Sequence, residues 1–268
     1  MTAREERERI DATPTPLLRR AANPLLVLSG TANVVMQLSR PEIGHAVSTS
    51  DAPSALFNDH VRRRRTTVGY LAVATHGTAA ERAAYRRGVN ASHAPVPGAM
   101  DHGLQWWVAA CLYRGFEQAY ELVHGRADRD ALLAEGVVLG GLLQVPAADW
   151  PRSRVAFEAA WQDGLAQVRI DDDVRDYLTR VIRLEYLPKP PSEALLRRRV
   201  RLVTGFLPDP FRAEMRLPWS VADQRRFDRF VGRVARVVRH LPAAGQEYPF
   251  RRSMRDLRAR LAAGEPPL

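Results

Sequence analysis

Two short patterns carry residue types that could do chemistry. One is Val89-Asn90-Ala91-Ser92-His93-Ala94-Pro95-Val96-Pro97-Gly98, a V-x-x-x-H-x-x-V-x-G arrangement. The other, about one helical hairpin upstream, is Arg63-Arg64-Arg65-Thr66-Thr67, an R-x-x-x-T arrangement. A histidine at the end of an amphipathic helix, followed by two prolines that stop it, is held where its ring can face a cavity. An arginine and a threonine four residues apart lie on one face of a helix. A neutral imidazole is a metal ligand, a guanidinium offers a fixed fork to a carboxylate, and a hydroxyl both donates and accepts. Together such a set could ligate a haem iron, pair with a propionate and offer a hydroxyl to the pocket. Either pattern alone is weak.

The other candidates carry less. The histidines are His45, His60, His76, His93, His102, His124 and His240, and a histidine in a helical protein is more often a surface or core residue than a ligand. The absence of H-E-x-x-H disfavours a zinc protease. Glu42 with His45 and Glu121 with His124 form two Glu-x-x-His pairs, the number that a di-iron bundle uses. Gly44 weakens the helix under the first pair, and the second sits where its helix frays at Gly125. Asp171-Asp172-Asp173 lacks the glycine and glutamate of a calcium loop and reads as a helix start. No P-loop, G-x-S-x-G or G-x-G-x-x-G occurs. Cys111 is the only cysteine, which rules out an internal disulfide, a four-cysteine zinc site and a C-x-x-C-H haem attachment. Its place after Trp106-Trp107-Val108-Ala109-Ala110 suits a buried, inert thiol better than a thiolate ligand.

The elements that must position these residues are helical throughout. The pattern predicts an apolar stretch over 16–39 bent near Pro24, then a helix opened by Pro41. A helix follows over about Arg62 to His76. Thr78-Ala79-Ala80-Glu81 is a capping box that opens the helix carrying His93. A long helix from Asp101 to Gly125 comes next, then helices over 128–143, 151–168, 172–184 and 192–206. Ser220 with Asp223 caps another, running to His240, with Phe227, Phe230, Val231, Val234, Val238 and Leu241 on one face. A last helix covers about 251–262. No strand-like alternation and no repeat is visible. The expectation is an all-α single domain of about 9–10 helices over 16–263, with flexible ends at 1–15 and 264–268.

Composition is that of an ordinary folded protein: 268 residues, 46% hydrophobic and 26% charged, enough chain to bury a sizeable core. Of 40 basic residues only Lys189 is lysine. The charge is lopsided, because residues 191–268 hold 17 arginines against 8 acidic residues, +9 of the net +10. Such a segment could meet nucleic acid or an anionic membrane surface, although a solvated helix face is the simpler reading and nucleic acid the less favoured partner. Arg19-Arg20 before the uncharged run from Ala21 to Ser39 imitates a signal or a span. Asn23, Pro24, Asn33 and Gln37 make it too polar, and Glu5, Glu6 and Glu8 spoil a signal's basic start. With a single cysteine, this favours a cytoplasmic location. On residues alone the reading stops at a basic, all-helical protein with a candidate histidine site.

The order of features along the chain resembles the haem oxygenase family that includes latex-clearing proteins (rubber oxygenases) and the MpaB-type oxygenase. Leu25 to Pro41, with Gln37 and Arg40-Pro41, is similar to that family's first buried helix. Arg63 and Thr67 match its R-x-x-x-T, followed by Gly69-Tyr70-Leu71 and Gly77-Thr78. Leu104 to Leu112 resembles its L-x-x-W-V-x-x-x-L helix. Val145-Pro146, Trp150-Pro151, Phe157 to Trp161, Leu207-Pro208 and Leu217-Pro218-Trp219 continue the match. The resemblance implies haem b with His93 as axial iron ligand, Arg63 on a propionate, and Thr67 and Thr66 on the distal side. It implies an oxygenase using dioxygen on a small hydrophobic, isoprenoid-like substrate, with a redox partner not identified. Rubber-cleaving members carry a lysine where Thr66 stands and a glutamate base upstream of the arginine. Here no glutamate lies between Glu42 and Glu81. A non-catalytic haem or hydrophobic-ligand protein and a basic module on a membrane surface or nucleic acid are the alternatives.

Overall fold

A computed structural model describes residues 2–53, 55–189 and 191–268. Among them the chain forms fifteen helices and no strand. The first six are α1 (Ala3–Asp11), α2 (Pro16–Ala21), α3 (Pro24–Gln37), α4 (Pro41–Ser48), α5 (His60–His76) and α6 (Ala79–His93). The central α7 (His102–His124) is followed by α8 (Arg129–Leu142), α9 (Arg154–Leu165) and α10 (Asp172–Ile182). The last five are α11 (Glu193–Phe206), α12 (Asp209–Glu214), α13 (Val221–His240), α14 (Ala243–Gln246) and α15 (Tyr248–Ala262).

The all-α expectation holds, with more helices than the nine or ten expected. The apolar stretch over 16–39 is two helices, because Asn23 leaves helical geometry and caps α3 through Leu25 N–H at 2.9 Å, with Pro24 at the next position. Short α12 and α14 each start at a proline N-cap and have too few turns to show a period.

α7 is central because it is apolar on nearly every face, as a helix enclosed by others must be. It packs against α2, α3, α8 and α13, while α15 lies along α5, and α6 sits on α1, α5 and α8. Trp107, fully buried, stacks on Trp161 with ring centres 4.9 Å apart and donates from its indole to the Met36 carbonyl at 3.1 Å. Trp150 likewise donates to the Leu133 carbonyl at 2.8 Å. A buried indole needs such an acceptor, so these bonds fix α3 on α7 and α8 beneath the 145–151 loop.

Residues 2–15 and 264–268, at the two ends of the chain, make specific contacts in the structure. Residues 3–11 form α1, opened by a Thr2–Glu5 capping box, and Ile10 and Asp11 are buried. This charged helix is held by Arg82 on α6, 4% exposed, which donates to the carbonyls of Asp11 at 2.9 Å and Thr13 at 2.7 Å, together with Arg86 on the Asp11 carboxylate and the Ala147 amide on Glu6. Arg82 also reaches Thr15 Oγ1 and the carbonyls of Val73 and Ala74. Met1 lies outside the described residues. At the other end Leu268 packs on the core, and the Pro266 carbonyl accepts from Arg260 at 3.0 Å.

Candidate functional site

α5 begins where the Asp59 carboxylate accepts from Arg62 N–H at 2.8 Å, so Arg63 stands on its first turn. The Arg63 side chain is exposed and, among the described residues, makes no hydrogen bond or ion pair. Its carbonyl accepts from Thr66 Oγ1 at 3.0 Å and from Thr67 Oγ1 at 2.9 Å. Both threonine protons are therefore directed to their own helix rather than to a cavity, and what the two hydroxyls have left to offer is lone pairs. The Thr66 carbonyl accepts in turn from the buried Tyr85 hydroxyl at 2.6 Å, which fastens α5 to α6 beside the motif.

α6 opens with the expected capping box, in which Thr78 accepts from Glu81 N–H and Glu81 reaches back to Thr78 N–H. It ends on His93. The His93 ring makes no hydrogen bond among the described residues, and its Nδ1 is buried without a partner. Burial pushes the His93 pKa down, and the positive charge of Arg63 pushes it further the same way. α5 packs on α6, and the Tyr85–Thr66 bond ties the half of α5 that carries Arg63 to the middle of α6. Arg63 also acts on the phenols of Tyr85 and Tyr177, both of which burial raises. Gly98 turns the following loop with a φ of 74°, a conformation open to glycine, and faces Leu104 on α7. From there Leu104, Val108 and Leu112, one on each successive turn of α7, are only half-buried.

Two further polar atoms in the same stretch are buried without partners: Asn90 Oδ1, one turn before His93, and Gln105 Oε1. The Gln105 amide donates to the Ala99 carbonyl at 2.9 Å. Buried polar atoms are nearly always paired, so three unpaired ones between residues 90 and 105 make this stretch the candidate site. The sequence reading missed Asn90 and Gln105. The i, i+3 spacing of Asn90 and His93 was a usable signal, whereas Gln105 on α7 had none.

Burial favours the neutral form of His93, as it does for His76 and His124. The folded pKa of His93 lies below the ordinary value near 6.5, so the stability tied to the neutral ring is complete above that value. It is lost as the pH falls through the folded pKa. A proton-NMR titration should therefore find a His93 midpoint below 6.5, and Arg63→Gln should raise it. A midpoint at or above 6.5 would mean that the ring is not desolvated.

No set of three or more His, Cys, Asp or Glu side chains able to hold a metal ion forms among the described residues. The two Glu-x-x-His pairs are engaged elsewhere: His45 Nε2 lies 2.7 Å from the Asp171 carboxylate, Glu121 accepts from Arg129 at 2.9 Å, and His124 sits beside Arg20. A di-iron centre has no assembled donor set here. Burial raises the Cys111 thiol well above its ordinary pKa, which keeps it protonated and poorly ligating. An iron held in a porphyrin needs only one protein donor, and the free imidazole of His93 meets that requirement.

Comparison with known proteins gives a family. A family model described as ER-bound oxygenase mpaB/B'/rubber oxygenase, catalytic domain, matches residues 18–237. An uncharacterized protein of Mycobacterium bovis and another of Mycobacterium tuberculosis are each 38% identical over 251 residues, covering 89% of this chain and 98% of theirs. No solved structure matches. Among the described residues, no helix is long and apolar enough to cross a membrane.

Proposed function

The chain belongs to the family of ER-bound oxygenase mpaB/B'/rubber oxygenase catalytic domains, and from that premise we propose that it is a haem b-dependent oxygenase acting on a small hydrophobic substrate. The observation that carries the haem assignment is the His93 ring, which makes no hydrogen bond among the described residues, has Nδ1 buried and unpaired, and has its pKa pushed down by burial. His93 would hold the haem iron through one ring nitrogen. The other would then need an acceptor, and Asn90 Oδ1, buried and unpaired one turn earlier, supplies that chemistry. Arg63, without an internal partner among the described residues, would meet a propionate. Thr66 and Thr67 would offer lone pairs to the bound group or its substrate.

When bound, haem supplies an iron that can activate dioxygen for attack on an electron-rich C=C bond. The protein's part is to hold the imidazole neutral and fixed, to balance propionate charge with Arg63, and to keep water away with the half-buried faces of α7 and α5. Removing Arg63 should weaken haem binding about tenfold, the low end for a charged hydrogen bond because the side chain is exposed. Arg62→Ala and Arg64→Ala should do less. Equal effects at all three positions would reduce the run to diffuse charge.

The test of the reaction is dioxygen uptake by haem-loaded protein with a reductant, supplied separately with short prenyl compounds and with polyisoprene latex. Carbonyl products from the short compounds are expected, with little from latex, since Thr66 replaces the lysine of rubber-cleaving members. Robust aldehyde or ketone formation from latex would overturn the substrate reading. Haem binding without turnover of any compound would favour a non-catalytic haem protein on the same fold.

A further inference from the structure

A cavity lies between α11 and α13, and no residue of the His93 motif lines it. Its volume is about 600 Å³, within the roughly 300–1,000 Å³ range of small-molecule pockets. The floor is Phe227, packed edge-on against Phe206 with ring centres 4.9 Å apart and close to Trp219 at 6.2 Å. Gly205 is what allows this: a Cβ there would run into the Phe227 ring, so α11 can accept the aromatic floor only without a side chain at that position. Leu184 and Leu202 continue the apolar wall. Leu195 and Phe230 stand at the rim, 53% and 47% exposed.

The sequence reading placed Phe230 and Leu241 on one apolar face with Val231 and Val238. The structure buries Val231 and Val238, together with Ala235, and leaves Phe230 and Leu241 exposed. The apolar face is wider than the core it meets, and its surplus opens into this cavity.

The charge of the cavity is one-sided. Arg198, Arg199, Arg201 and Arg226 line it, with Asp223 as its single acid. That carboxylate is already occupied, since it accepts from Ser220 N–H at 3.2 Å in the cap of α13 and lies 3.7 Å from Arg226. Arg199 is the telling residue. It is half-buried, donates to the Ile182 carbonyl at 2.8 Å and to Thr31 Oγ1 at 2.7 Å, and has no carboxylate within ion-pair distance among the described residues. Burial lowers its pKa, the mark of a cation that has lost water without gaining an anion. A desolvated guanidinium ordinarily has such a partner.

We propose that the α11–α13 cavity binds a single-chain anionic amphiphile, its apolar chain on the Phe227 floor and its carboxylate or phosphate head on Arg199 and the rim arginines. The observations favour a discrete molecule over a membrane face, because the uncompensated cation is set into the wall of a cavity of ligand size and not on the open ridge of α13. The inference is independent of haem, which involves α5 and α6.

The test is isothermal titration of the full chain with monomeric dodecanoate, dodecyl phosphate and dodecanol, and separately with phosphatidylglycerol vesicles. One saturable site for at least one of the two acids is expected, with dodecanol at least about tenfold weaker because it lacks the charge; the relative affinities of the two acids identify the head group. Leu195→Asp and Arg226→Glu, both at exposed positions and with their fold checked by circular dichroism, should each weaken the better acid at least about tenfold. Arg199→Gln should do the same, with circular dichroism checking its fold, and His93→Ala should leave binding unchanged. Equal affinity for acid and alcohol, or indifference to Leu195→Asp and Arg226→Glu, would overturn the proposal. Binding to vesicles without saturable binding of either acid would also overturn it and make this face a membrane contact.

Discussion

Replacing His93 by alanine is expected to abolish the Soret band of haem-loaded protein while leaving the far-ultraviolet circular dichroism unchanged. Loss of residues that merely orient a metal ligand costs about 10–100-fold in affinity, so loss of the ligand itself should exceed roughly 100-fold. The fold should survive because His93 is the last residue of α6 and its ring bonds to nothing among the described residues. Free imidazole should enter the vacated space and restore the band in part. The buried neighbour supplies a second readout: Asn90→Leu should leave haem bound but shift its reduction potential, through the nitrogen that does not face iron. If His93→Ala bound haem like the wild type, the ligand would lie elsewhere.

Arg82→Ala should produce the largest loss of stability of any single change on α6. The guanidinium is buried and satisfies five acceptors drawn from the α1–α2 connection and the end of α5. Truncation leaves those acceptors dry, each worth about 1–3 kcal/mol when unsatisfied. Relaxation and water entry make the sum less than additive, so a loss of about 3–5 kcal/mol is expected. For a chain of this size that lowers Tm by roughly 6–15 °C. Protease sensitivity should appear first within residues 3–15, because Arg82 holds that segment down. Arg87→Ala, one turn on and exposed, is the control that should change neither. An unchanged Tm for Arg82→Ala would show that α1 is held by something other than this residue.

Helices with strong punctuation were legible in the sequence. Thr78 and Ser220 announced capping boxes that the structure contains. The apolar run around Trp106 and Trp107 announced the central helix. α1 was not legible by periodicity, since Ala3–Asp11 carries one large apolar residue, Ile10, and is fixed from afar by a buried arginine on α6. Its one local signal was the Thr2–Glu5 pair. At the site, the spacing of Arg63 and His93 pointed to two helix ends but could not reveal how they are placed, which depends on how α5 crosses α6. The threonines show a different limit. Spacing put Thr67 on the Arg63 face, and only coordinates could show both hydroxyl protons turned back to the Arg63 carbonyl. On α13, periodicity identified an apolar face but not how much of it the core would cover.

The most direct measurement is a titration of freshly purified wild-type protein with haemin, followed by visible absorption, with reduction at the end point. The account predicts a Soret band that saturates at one haem per chain, and a ferrous spectrum that responds to dioxygen. That band should weaken as the pH is lowered through the His93 pKa. A protein that shows no saturable Soret change under these conditions would contradict it.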